Sequence, residues 1–174
     1  MTGAGGPGPV LVVNTGSSTL KLSLVAAGVE EPVASALLED WSAGEAGADA
    51  IAGFAAGHGV AAVGHRVVHG GSRFVQAVRV DDGVRAALAG LTPLAPLHQP
   101  RALAGIDAAR RALPAVPHVA CFDTAFHATL PREARTYALP SEWVERFGIR
   151  RYGFHGLSVR WSVERAGILL DREP

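Results

Sequence analysis

Val10-Leu11-Val12-Val13-Asn14-Thr15-Gly16-Ser17-Ser18-Thr19-Leu20-Lys21-Leu22-Ser23-Leu24-Val25 reads as two strands joined by a short polar turn. Val10–Asn14 is an apolar run that closes on a polar residue. Over Leu20–Ala26 the leucines at 20, 22 and 24 alternate with Lys21 and Ser23, the period of two that makes one face of a strand apolar. The turn between the strands offers backbone N–H groups and hydroxyls, and a lysine follows directly. A strand, a small-residue turn and a lysine can together hold phosphate. Lys21 is the single lysine among sixteen basic residues. A compact, strongly hydrated ammonium thus stands where the composition otherwise supplies planar guanidinium forks. Asn, Gly and Ser are also ordinary turn residues, so the same stretch describes a polar hairpin with a solvated lysine.

Working outward, Pro32–Leu38 is expected as a third strand and Gly47–Gly57, with Ile51 and Phe54 at helical spacing, as a helix. Val60–Val68 is rich in β-branched residues and reads as a buried strand. Val84–Leu91 reads as a short helix, and Thr92–Pro100, with prolines at 93, 96 and 100, as a loop. Arg101–Leu113 carries Leu103, Ile106, Ala109 and Leu113 near one helical face. His118–Phe122 is another buried strand. Pro131 opens a helical turn, Ser141–Phe147 is a short helix, and Ser158 caps a last helix reaching Leu170. The order βββαβαβα, with later strands each following a helix, predicts a mixed α/β sheet covered by helices on both faces.

Composition narrows the function classes. A chain of 174 residues with 48% hydrophobic and 18% charged residues buries a real core. Net charge is zero and no basic block occurs, which argues against nucleic acid as a partner. No run is long and apolar enough for a helix to span a membrane. The glycine- and proline-rich residues 1–9 read as a disordered tail rather than a signal peptide. Cys121 is the only cysteine, which fits a reducing cytoplasm. No Cys/His pattern has structural-zinc spacing, and neither Gly-x-x-x-x-Gly-Lys nor Gly-x-Gly-x-x-Gly occurs.

The polar residues gather just past predicted strand ends, where open α/β sheets bind ligands. His65, Arg66 and His69 lie in the run Gly64–Gly71, and His98 in the rigid run Leu94–Pro100. Asp123 and His127 follow the strand at Cys121–Phe122, and His155 lies in Arg150–Gly156. Arg66 and Asp123 are expected to meet over the sheet edge near the Asn14–Lys21 turn. The plain alternatives are that Arg66 pairs with a carboxylate, that Asp123 caps the following segment, and that Gly153 and Gly156 permit a turn. His58 and His118 read as packed structural residues.

The runs Asn14–Lys21, Gly64–Gly71, Leu94–Pro100, Cys121–Pro131 and Arg150–Gly156 occur in the order found in the acetate kinases, and the chain resembles that family from Val10 to about Leu170. The resemblance implies a single actin-like ATPase (ribonuclease H-like) domain over residues 10–174. It implies reversible transfer of the γ-phosphoryl group of ATP to acetate, giving acetyl phosphate and ADP, with Mg2+ or Mn2+ assisting. On that basis Asn14 helps hold the metal, while Lys21, Ser17 and Thr19 reach the nucleotide phosphates. Arg66 binds the acetate carboxylate. Val68, Leu97 and Phe154 surround its methyl, with His98 alongside. Asp123 and His155 are the catalytic pair, His155 facing the phosphoryl group in flight.

Three departures from the family stand out. Leu157-Ser158-Val159 replaces the usual Thr-Ser-His, and Gln99 stands where Asn is usual. Family members are also much longer; their further length carries adenosine binding, more catalytic groups and most of a homodimer contact. This stretch alone is therefore expected to be inactive. Propionate and butyrate kinases share most of these motifs, and a catalytically silent module with the same fold is the other alternative.

Overall fold

Leu11 and Val13 of β1 (Val10–Thr15) point to the same side as Leu20, Leu22 and Leu24 of β2 (Leu20–Val25), because the antiparallel register pairs Leu11 with Leu24 and Val13 with Leu22. All five are buried. The expected alternation therefore holds, and it decides which side of the sheet is core. The computed structural model describes residues 8–173. Of the expected tail, residues 1–7 lie outside the described residues, and the Pro9 carbonyl accepts a hydrogen bond from the Ala61 N–H at 2.9 Å.

The sheet continues with β3 (Ala34–Leu38), β4 (Ala62–Val67), β5 (Val78–Arg79) and β6 (His118–Phe122), in the order β3-β2-β1-β4-β6-β5. Strands β1, β4 and β6 run parallel; β2, β3 and β5 are antiparallel to their neighbours. The helices are α1 (Glu45–Ala55), α2 (Asp82–Ala89), α3 (Gln99–Ala112), α4 (Arg132–Arg135), α5 (Ser141–Phe147) and α6 (Gly156–Leu170). Helix α3 lies across β1 and β4 and packs on α1 and α2. One core cluster joins Leu11, Leu22 and Ile51 to Ala109; a second joins Val67, Phe122 and Leu88 to Ile106. Helix α6 packs against β6. Its outer side leaves Trp161, Ile168, Leu169 and Leu170 exposed.

Three local expectations are corrected. Strand β5 lies outside the expected order: two residues carry no periodic signal, and they pair with the neighbouring β6. The loop expected over Thr92–Pro100 is shorter, since Thr92–Leu94 form a 3-10 turn and α3 already begins at Gln99. Pro100 sits in the first turn of α3, where a missing N–H has no intrahelical partner to lose. Ser158 lies inside α6 rather than capping it; His155 occupies the cap position in a left-handed conformation.

A buried histidine pair sits between β4 and β6. His118 Nε2 lies 3.0 Å from the Leu113 carbonyl, which only accepts, so that nitrogen carries the proton. His118 Nδ1 is then free to accept from His65 Nε2–H at 3.0 Å. Burial, aided by the neighbouring His118, pushes the His65 imidazole down to about 3. Burial likewise lowers His118, with Arg110 adding to the effect and the Leu113 carbonyl opposing it.

Unfolded, both rings titrate near their ordinary value, whereas the folded chain holds both below it, His65 down to about 3. Below about pH 6.5 the unfolded state therefore binds protons that the folded state does not. Stability then falls by roughly 1.4 kcal/mol per pH unit through His65, and His118 adds to the fall in the same direction. For His65 this loss continues down to about 3. Urea unfolding should show stability falling from pH 6.5 to pH 4. His65→Gln, which keeps an N–H donor for His118 and does not titrate, should show a shallower fall. Equal slopes in the two proteins would contradict the neutral pair.

Candidate active site

The parallel strands β1, β4 and β6 end at one edge, and the polar residues emerge there. Val13 is paired with His65, and Arg66 with Cys121. Asn14 and Arg66 therefore project to the side opposite the α1–α3 core. The antiparallel register sets Lys21 across from Asn14 on that same side. Asp123 follows β6 directly, its N–H donating to the Val67 carbonyl at 3.0 Å.

Arg66 ties these strand ends together. Its Nε donates to Asp123 at 3.1 and 3.3 Å, and its Nη2 to Asp123 Oδ2 at 2.6 Å. Its Nη1 donates to Asn14 Oδ1 at 3.3 Å. Asp123 is only 2% exposed and Arg66 30%, so the pair is largely withdrawn from water on the acid's side. A guanidinium has five N–H groups. Three are engaged, which leaves one on each terminal nitrogen for a ligand. Asp123 thus orients Arg66, as the expected meeting of the two over the sheet edge allows.

A cavity of about 300 Å3 opens beside this pair, lined by Arg66, Val68, Leu94, Ala95, His98, Asp123, Phe154 and His155. Six of the residues expected at the site from the sequence meet here. Leu97 does not: it is 80% exposed and outside the lining. The 3-10 turn at Thr92–Leu94 and the bend after it present Leu94 and Ala95 instead. Both lie in the run already singled out, but nothing in its composition says which leucine turns inward. Ser17 is exposed and Thr19 half-buried in the β1–β2 turn, which is closed by the Gly16 N–H donating to the Thr19 carbonyl at 2.7 Å. Ser17, Thr19 and Lys21 lie outside the cavity lining, on the β2 side of Asn14.

The residues around Asn14 do not by themselves make a magnesium site. Asn14 offers one neutral oxygen that already accepts from a guanidinium, and the nearby carboxylate of Asp123 is taken up by the same guanidinium. Among the described residues no group of three or more His, Cys, Asp or Glu side chains could hold a metal ion. Magnesium asks for about six oxygens and takes several from water and phosphate, so most of its ligands would have to come from elsewhere.

The sequence pattern of the acetokinase family matches residues 54–174. The chain belongs to the acetokinase family. An acetate kinase of Clavibacter michiganensis subsp. michiganensis is 46% identical over 192 aligned positions, covering 94% of this chain and 48% of the relative. An acetate kinase of Geobacter metallireducens is 54% identical over 115 positions, covering 66% of this chain and 27% of the relative. Among solved structures, a propionate kinase from Francisella tularensis subsp. tularensis SCHU S4 superposes with a TM-score of 0.84 at 30% identity. Porphyromonas gingivalis acetate kinase superposes with a TM-score of 0.81 at 32% identity. Each match covers 95% of this chain and 50% of the other. This acetokinase chain therefore spans about half the length of the Clavibacter relative and of the two solved kinases, and its fold is the expected actin-like ATPase type of mixed α/β sheet.

Removing one partner of a buried ion pair leaves the other charge uncompensated, at a cost of roughly 3–5 kcal/mol when both are fully buried. Arg66 is partly exposed, so Arg66→Ala should lower urea stability by about 2–3 kcal/mol. Adding Asp123→Asn should recover part of that loss. A loss below about 1 kcal/mol for Arg66→Ala would mean that solvent already screens the pair.

Proposed function

We propose that this chain forms the acceptor-binding part of an acetate kinase, which transfers the γ-phosphoryl group of ATP to acetate and gives acetyl phosphate and ADP. The observation that carries the reading is the pair of free N–H groups on Arg66 at the mouth of a small, partly apolar cavity. A carboxylate accepts from such a pair through both oxygens. Val68, Leu94, Ala95 and Phe154 offer an apolar wall to a methyl group. Family membership and the matching acetate kinases support the same reaction.

Acetate is already ionised at neutral pH and has no proton to give up. The obstacle is bringing one anion up to another. Catalysis of such transfers rests on positioning and charge compensation rather than on a base. With both Asp123 oxygens accepting from Arg66, the acid is fitted to hold the guanidinium, which in turn holds acetate. His155 at the cavity edge would donate to the equatorial phosphoryl oxygens. Lys21, Ser17 and Thr19 would receive phosphates on the β2 side, and Asn14 would contribute one oxygen to a nucleotide-bound Mg2+ or Mn2+. We further propose a cytoplasmic setting, in which the single free cysteine stays reduced. In the assembled enzyme, most of a homodimer contact would be carried by the remaining half rather than by these residues.

A longer acyl group is the second reading, supported by the likeness to a propionate kinase. One methylene changes discrimination by only about 1–3 kcal/mol. In an enzyme completed with the remaining half from a relative, Val68→Ala should shift the kcat/KM ratio toward propionate. A lowered Tm with an unmoved ratio would make Val68 a packing residue only.

The reaction itself is tested by a hydroxamate assay. The completed enzyme should form acetyl phosphate from acetate and ATP, while these 174 residues alone should stay near background. Turnover of roughly 1–100 per second by the short chain would overturn the need for a second wall around the nucleotide.

A further inference from the structure

His155 lies at φ 55° and ψ 24°, a left-handed conformation that side chains other than Gly, Asn and Asp rarely adopt. Such strain persists only where the surroundings enforce it. The enforcing contacts come from one short turn. The Asp123 carbonyl accepts from the Gly156 N–H at 2.8 Å, and His127 Nε2 lies 3.0 Å from the Phe154 carbonyl. A carbonyl only accepts, so His127 donates through Nε2–H. The peptide groups on both sides of His155 are thus gripped by residues 123 and 127, which the 3-10 turn Ala125–His127 holds in register.

Two glycines make this grip possible. A methyl group on Gly153 would overlap the His127 ring, and one on Gly156 would overlap the Asp123 carbonyl. On the other side of the loop the buried ring of His69 meets Tyr152 and Phe154 edge-on, at 4.6 and 5.6 Å between centroids. The Gly71 N–H donates to His69 Nδ1 at 2.9 Å, which fixes that ring. Farther back, the Arg151 N–H donates to the Arg135 carbonyl at 2.7 Å.

We propose that His127 is a positioning residue: with the Asp123 carbonyl it clamps the loop Arg150–Gly156, keeps His155 left-handed, and so holds Phe154 and His155 at the cavity. Its consequence for phosphoryl transfer rests on the reading of His155 given above; the clamp is tested without turnover, so either can fail alone.

The experiment is amide hydrogen exchange by NMR on the 174-residue chain, together with limited trypsin digestion. In His127→Ala the Gly156 amide should exchange about tenfold faster, as for loss of one hydrogen bond with release of strain. Trypsin should cut faster after Arg150 and Arg151. Amides of β1 and β4 should keep their protection. His127→Gln, whose Nε2–H reaches the same carbonyl, should restore the parent rates. Gly153→Ala, which displaces the ring from the other side, should reproduce the His127→Ala pattern. Unchanged Gly156 exchange in both variants would overturn the clamp. So would equal acceleration across β1 and β4, which would make His127 a general stabiliser of the fold.

Discussion

One guanidinium spans the ends of three parallel strands. Arg66 rises from β4, reaches Asn14 on β1, and grips Asp123 just beyond β6. Asp123 is almost wholly buried, and a buried carboxylate is tolerable only when its lone pairs are satisfied. Here they are satisfied by the residue that also faces the cavity. The pairing ties the position of Arg66 to the packing of β6, so the guanidinium facing the cavity is set by the sheet rather than by a flexible side chain. Asp123 also offers its main chain to the loop bearing His155, so the same residue orders both walls of the cavity.

The two faces of the sheet are chemically unlike, and that division follows from the strand period. Leucine, valine and the neutral His65–His118 pair occupy the face that α1, α2 and α3 cover. Lys21, Asn14, Arg66 and Cys121 occupy the other, where the side chains remain partly or wholly accessible. A shift of register by one residue would exchange these sets, placing a guanidinium in the core. The fold and the site are therefore specified by the same alternation.

That alternation is why so much could be read in advance. Strand β6 and helix α5 have the ends expected from sequence, and β1, β2, β3, β4, α1, α2, α3 and α6 differ by a few residues. What escaped reading depends on partners distant in the chain. Strand β5 exists because β6 supplies its hydrogen bonds. The early start of α3 is hidden by prolines that look like loop residues, while the buried Gln99 donates to the Leu88 and His69 carbonyls. At the cavity, the polar residues just past the strand ends mark runs that do meet there, but the inward turn of Leu94 in place of Leu97 is a matter of backbone direction. The left-handed histidine carries no signal at all, since glycine is the residue that such a position normally announces.

Position 155 consequently sets two kinds of selection against each other. Glycine there would relax the backbone and gain on the order of 1 kcal/mol of folding stability, while removing the imidazole from the cavity. A library sorted for heat resistance would drift toward glycine at 155; with His155 in its proposed role, a library of the completed enzyme sorted for turnover would return to histidine. The contrast between the two outcomes would report how much of the chain's stability is given up to keep that one ring in place.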